Sequence, residues 1–248
     1  MSDIQEKEIL SLIQEKQFVS VEDVVCSLYI SPSTVRRKLS KLQDKGLIIR
    51  TRGGAKINDA NNFSPSFSFR THQNSLEKKK IAILATGLIK NGDVIFLDGS
   101  TSAFFIAEYL SGFKDIKVIT NGIDTLSLLA KHGIVAYSTG GVISKNNNSV
   151  LVGEHAISMV EKYHADVTFF SSASVTKDGK IYDIFEEENS VRLAMLKNST
   201  KKVFLSDSTK FNKISPYYIC TVSDIDYIVT DKDVSNLFSS NKTPEILY

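Results

Sequence analysis

Residues 31–57 read SPSTVRRKLSKLQDKGLIIRTRGGAKI, and this stretch decides the fold of the N-terminal segment. Ser31 offers a helix cap, and Pro32 sits at the first helical position, where no backbone donor is lost. Val35, Leu39 and Leu42 then recur at helical spacing and predict one buried stripe. The opposite face carries Ser33, Arg36, Arg37, Ser40 and Lys41. Gly46 is expected to end this helix. Beyond it, two extended runs flank Gly53-Gly54, which predicts a hairpin. Working backwards, Ser20 can cap a preceding helix with Asp23 in its first turn and Val24, Val25 and Leu28 inside. Tyr29-Ile30 breaks that helix. Ile9, Leu12 and Ile13 predict an amphipathic first helix over residues 4–16. Together these elements spell a winged helix-turn-helix over residues 1–57.

Charge supports the same reading. Between Ser31 and Lys56 eight basic residues face one acid, a net +7 in 26 residues, against −5 for the remaining 222. A solvated basic face would give the same count, as would a small helical domain that docks on protein. The agreement of cap, stripe and hairpin favours double-stranded DNA. Arg36, Lys41, Arg50 and Arg52 are expected on phosphates, and Ser33, Thr34 and Arg37 on base edges, with Ser40 on the same face.

The whole chain of 248 residues is 42% hydrophobic and 23% charged, an ordinary globular composition. No apolar run approaches the ~20 residues of a membrane span, and the acidic start is not a targeting segment. Cys26 and Cys220 match no metal-ligand spacing and fit a reduced, cytoplasmic setting. His72, His132, His155 and His164 share no ligand spacing, and no Gly-x-Ser-x-Gly nucleophile motif appears. The expectation is therefore no metal, no cofactor and no catalytic residue.

Residues 58–74 are polar without sustained helical periodicity and read as a linker, tethered by Phe63, Phe67 and Phe69. From Ser75 to Tyr248 helical and extended patterns alternate. Strands are expected at 94–98, 116–120, 134–138, 166–170 and 202–206, with 227–230 closing the sheet. Helices are expected near 75–90, 101–110, 123–131, 154–163 and 187–197. This is an α/β pattern with a mostly parallel sheet, in which ligands bind beyond the carboxyl ends of the strands. Small polar residues collect at those ends: Asp98-Gly99-Ser100-Thr101, Thr120-Asn121-Gly122, Thr139-Gly140-Gly141 and Ser206-Asp207-Ser208-Thr209-Lys210. Turns need glycine anyway, so no single loop decides. Four of them favour a phosphate or sugar site, with Asp98 and Asp207 accepting hydroxyls and Lys210 neutralising a phosphate.

Thr34-Val35-Arg36-Arg37-Lys38-Leu39, followed by Arg50-Thr51-Arg52-Gly53-Gly54-Ala55, resembles the DeoR family of bacterial sugar-metabolism regulators. Lys38 stands where that family usually has aspartate, and Arg52 where it usually has histidine; both changes add positive charge to the DNA-binding segment. The likeness continues through Arg70, Asn74, Glu77, Lys78, Ile81 and Ala82, then Leu97–Thr101, Thr120-Asn121, Gly140-Gly141 and Asp207–Phe211. It implies a sensor domain related in fold to sugar-phosphate isomerases, a phosphorylated sugar as effector, operator DNA as partner, and a homo-oligomer, dimer or tetramer.

After the expected strand at 166–170, related regulators often carry an arginine or a glycine-rich turn, and related isomerases an acidic cluster. Here the loop is Ser171-Ser172-Ala173-Ser174-Val175. Without a positioned carboxylate base, an isomerase or deaminase with a DNA-binding head is the weaker reading. One of Glu186, Glu187 and Glu188 can line the site, or all three can serve the first helical turn. The reading favoured by the sequence is a repressor of a carbohydrate-utilisation operon. An activator without ligand sensing is the remaining alternative.

Overall fold

The computed structural model describes residues 2–16, 18–45, 47–57, 67–237 and 244–248. The chain divides into two compact units, Met1–Phe69 and Arg70–Tyr248. Gly46 and residues 58–66, most of the expected linker, lie outside the described residues.

The first unit runs α1 (Ser2–Lys16), β1 (Phe18–Ser20), α2 (Val21–Leu28), α3 (Pro32–Asp44), β2 (Ile48–Thr51) and β3 (Gly54–Ile57). Ser20 and Asp23 form a reciprocal capping box at the start of α2. Ser31 caps α3 by accepting from the Thr34 N–H at 3.3 Å. Ile9, Ile13, Val24, Val35, Leu39 and Ile48 meet in one apolar core. The wing has a third strand that the sequence reading lacked. β1 pairs antiparallel with β3, which pairs in turn with β2. This pairing explains Gly54: a Cβ there would lie 2.2 Å from the Val19 carbonyl oxygen.

α4 (Phe67–His72) occupies the end of the stretch expected to be linker. That expectation is corrected for these residues: six residues are too few to show sustained periodicity, yet they form a helical turn and a half. In the second unit α5 (Ser75–Thr86), β4 (Val94–Leu97), α6 (Thr101–Ala107), β5 (Lys117–Thr120), α7 (Ile123–Lys131) and β6 (Ala136–Ser138) follow in order. Next come β7 (Val142–Ile143), β8 (Leu151–Val152), α8 (Glu154–Val160), β9 (Ala165–Phe170), β10 (Ser174–Val175) and β11 (Lys180–Asp183). The unit ends with α9 (Glu186–Lys197), β12 (Ser199–Leu205), β13 (Tyr217–Thr221), β14 (Tyr227–Val229) and β15 (Glu245–Leu247).

Seven strands form one sheet in the order β15-β14-β12-β9-β4-β5-β6, every neighbouring pair parallel. Alternation along the strands sends Ile95, Leu97 and Val118 to one face, packed with α5 and α6 residues. Phe96 and Ile119 point to the other face, against Ala156, Val191 and Met195. Residues 227–230 do not close the sheet: β15 pairs outside β14. Part of the second face is covered by an antiparallel sheet, β10-β11-β13, rather than by helices. Val175, Ile181 and Ile219 of that sheet pack on Phe170, Phe204 and Ile228. Strands as short as β10 and β11 carry too little periodicity to be read from sequence.

Candidate functional site

On α3 the apolar stripe is buried and Ser33, Arg36, Arg37 and Lys41 are exposed; Thr34 and Ser40 are half-buried. Arg50 and Arg52 of the wing are exposed too. Two of the expected DNA contacts bond to each other: the Arg50 guanidinium donates to Ser40 Oγ at 3.0 Å. The Arg50 N–H also donates to Gln43 Oε1 at 3.2 Å, so α3 and the wing are fastened together at this residue. At the front of α3, Ser31 Oγ lies 2.9 Å from both Ser33 Oγ and Thr34 Oγ1.

Lys38 brings its charge to the inside of this unit. It adds no charge to the exposed face, being only 4% exposed and turned inward toward Glu6 of α1, itself 5% exposed. Glu6 sits 3.9 Å from the Lys38 ammonium and 2.8 Å from that of Lys45. The hydrogen bond from Lys45, with the charges of Lys45, Lys38 and Lys41, holds the Glu6 carboxyl below its usual range although burial opposes this. Arg52 does stand on the exposed face.

In the second unit the nine residues expected to hold an effector do not all meet. Asp98 follows β4, Ser171 follows β9, and Asp207 with Lys210 follows β12; these three strands are adjacent. Asp98 is buried and already held by three donors. Its Oδ1 accepts from the Ser100 N–H at 3.1 Å. Its Oδ2 accepts from the Ser171 N–H at 3.1 Å and Arg192 Nε at 3.0 Å. These bonds brace two loops and an arginine. Lys210 Nζ donates to Ser171 Oγ at 2.8 Å, and Ser171 Oγ donates to the Leu205 carbonyl at 2.6 Å. Gly99 makes room for Val150, whose Cγ2 would stand 2.6 Å from an added Cβ. Ser100 caps α6, and Thr101 is buried at its first position.

Asn121 is buried after β5, its amide donating to the Leu151 carbonyl at 3.1 Å. Its Oδ1, like Ser102 Oγ and Thr125 Oγ1, has no hydrogen-bond partner among the described residues. Gly140 and Gly141 are exposed after β6, both at positive φ. β6 lies four strand spacings from β12, about 19 Å. At Gly141 the chain runs close to Val152, whose carbonyl oxygen would stand 2.4 Å from an added Cβ.

The centre of the site is richer in charge than the loops predict. Arg192 bridges Asp98 and Asp183, the latter at 3.0 Å, and also donates to Asn189 Oδ1. Burial opposes the Arg192 charge, but Asp183, Asp98 and Glu188 outweigh it and raise its pKa. Glu188 is buried and accepts from Asn147 Nδ2 at 3.0 Å; burial pushes its carboxyl up. Of the acidic run, Glu188 thus reaches the site, while Glu187 holds Ser144 and Asn146 and Glu186 stays exposed.

Three more cations converge here. The Arg70 guanidinium has Nε and Nη2 shielded from solvent, and burial lowers its pKa. Burial likewise lowers Lys210. Lys78 is pushed down to about 7 by burial and by the Lys210 charge. Its ammonium donates to the carbonyls of Arg70 and of Gln73, the second at 2.8 Å. Asp207 is held below its usual range: burial pushes it up, but Lys210 and the Thr209 hydrogen bonds prevail. Asn74, at positive φ between α4 and α5, donates to Asp207 Oδ1 at 3.2 Å and Thr209 Oγ1 at 3.3 Å. Sequence reasoning missed Asp183, Arg192 and Asn147. The signal for Arg192 is a cation set between the apolar positions Val191 and Met195 of α9.

Among the described residues no group of acidic, histidine and cysteine side chains is arranged to hold a metal, and no helix is long and apolar enough to cross a membrane.

Residues 6–61 match the family model of the DeoR-like helix-turn-helix domain, and residues 73–232 match that of the DeoR C terminal sensor domain. The HTH-type transcriptional regulator GolR of Listeria innocua is 32% identical over 93% of this chain and 91% of its own length. The HTH-type transcriptional repressor GlcR of Bacillus subtilis is 33% identical over 90% of this chain and 86% of its own. Among solved structures, ribose 5-phosphate isomerase from Plasmodium falciparum aligns with a TM-score of 0.41 at 17% identity, over 56% of this chain and 53% of that one.

Proposed function

The chain belongs to the DeoR family of transcriptional regulators, and from that premise we propose that it represses a carbohydrate-utilisation operon under the control of a phosphorylated sugar. The DNA-binding half of the reading rests on α3. One stripe is buried, and the face opposite it presents Ser33, Arg36, Arg37 and Lys41 to solvent. Arg36, Lys41 and Arg52 meet phosphates, giving salt-dependent affinity, while Arg37, Ser33 and Thr34 read base edges. Arg50 and Ser40 hold the wing against α3.

One observation carries the sensing half. Lys78 and Lys210 are cations whose charge burial disfavours, near enough for the Lys210 charge to weaken that of Lys78, the first bonded to the carbonyls of Arg70 and Gln73 and the second to Ser171 Oγ beyond β9. An anion placed between them removes that penalty, and a phosphate is the anion a sugar most often carries in metabolism. Asp207 and Asn74 lie beside the same loop and can receive sugar hydroxyls. Asp98, Arg192 and Asp183 brace the floor of the site. Control then follows from linkage: the effector binds one arrangement of a homo-oligomer better and so shifts the equilibrium between DNA-binding states.

The deciding experiment is footprinting of the purified full chain on the promoter region of its own operon, across a panel of sugar phosphates. One compound should abolish the footprint. A footprint indifferent to every compound refutes the sensing half, and absence of any protected region refutes the DNA-binding half.

A further inference from the structure

Tyr29 lies between α2 and α3 in the left-handed region, with φ 52 and ψ 40. Glycine and asparagine take that conformation at lower cost than a residue with a bulky side chain. The turn itself does not need the ring. α2 is closed by the Tyr29 backbone N–H, which donates to the Val25 carbonyl at 2.9 Å. Nor does the protein use the side chain for packing, because Tyr29 is 93% exposed, the most exposed large hydrophobic residue among those described. A strained position thus carries a large amphipathic side chain that gives nothing to the fold. It does so two residues before Ser31, the cap of the helix whose exposed face bears Ser33, Arg36 and Arg37.

We propose that Tyr29 is a DNA-contacting residue: its phenol hydroxyl donates a hydrogen bond to a backbone phosphate oxygen as α3 enters the major groove. Tyrosine hydroxyls are among the side-chain groups that hold phosphates and fix register without reading sequence. The proposal rests on the assignment of α3 as the DNA-facing helix, and the test separates the two. Because the phenol is neutral, it displaces no counterion. Its contribution therefore differs in kind from that of Arg36, even though both touch phosphate.

The experiment measures binding of the full chain to a short mixed-sequence DNA duplex by fluorescence anisotropy over a range of salt concentrations, with thermal melting of each variant. Tyr29→Phe and Tyr29→Asn should each weaken binding about tenfold, with the dependence on salt unchanged. Tyr29→Asn should melt no lower than the parent, since it relieves the backbone. Arg36→Ala, the control, should weaken binding and lower the salt slope by about one. If Tyr29→Phe binds as tightly as the parent while Arg36→Ala is weakened, the phosphate contact is wrong. A changed oligomeric state of Tyr29→Asn with DNA affinity intact would overturn it in favour of a protein contact. If neither Arg36 nor Tyr29 matters, the DNA-facing assignment of α3 falls, and this proposal with it.

Discussion

Replacing Lys38 by the aspartate that its family relatives usually carry should destabilise the DNA-binding unit rather than restore a consensus. Lys38 and Glu6 are both buried, and their charges stand 3.9 Å apart. At that separation and an effective dielectric of about 20, the attraction is about 4 kcal/mol. Lys38→Asp turns the attraction into repulsion between two carboxylates in the same recess. Proton uptake by one of them, and the Lys45 contact at 2.8 Å that Glu6 retains, absorb part of the change. A loss of about 3–5 kcal/mol is expected, a large fraction of the 5–15 kcal/mol (roughly) that holds a typical domain folded. Urea unfolding of the full chain, followed by circular dichroism, should show an early transition for Lys38→Asp and leave the later one in place. Combining it with Glu6→Lys should recover at least half of the loss, because Lys45 is partly exposed and can swing away. A Lys38→Asp variant that unfolds at the parental urea concentration would show that the pair does not hold α1 on α3.

Further outcomes follow from the same geometry. Arg37→Ala should cost about 1–3 kcal/mol of operator affinity and relax the choice of base at one position; equal affinity at matched salt means that α3 presents another face. Lys210→Met should leave the footprint intact while removing its response to the effector, and a normal response would exclude that lysine from the anion site. Lys78 binds its proton less tightly folded than unfolded, so its burial penalty is complete below about pH 7 and is relieved as the pH rises toward 10.5, the ordinary value for a lysine. The melting temperature of the second unit should therefore gain on that of Lys78→Met across this window, and parallel curves would contradict it. Arg192→Met leaves the buried Asp98 and the half-buried Asp183 without their cation and should destabilise the second unit by about 3–5 kcal/mol, read as a shift of its unfolding transition.

The elements that sequence reveals are those with a periodic stripe or a cap. Ser20, Ser31, Pro32 and the Val35–Leu39–Leu42 stripe place α2 and α3 directly. The buried strands β4, β5, β9 and β12 stand out as apolar runs between helices. Strand β1 does not, because three residues show no alternation and its partner β3 is more than thirty positions away. The polar loops at strand ends were legible as a class, but membership of one site was not. Strand order decides that, and order is long-range information: Gly140-Gly141 look like Asp207–Lys210 in sequence and lie at the opposite side of the sheet. Charge sense is equally hidden. Lys38 reads as one more cation in a basic run until Glu6 is found against it.

The bonds from Asn74 to Asp207 and Thr209, and from Lys78 to the carbonyls of Arg70 and Gln73, have an evolutionary corollary. The loop proposed to recognise the effector is moored to the segment through which the chain enters its second unit. On the proposed function, a change in either segment alters the bonds of the other. Divergence toward a new sugar phosphate should proceed through paired changes, one in residues 207–210 and a compensating one in residues 70–78.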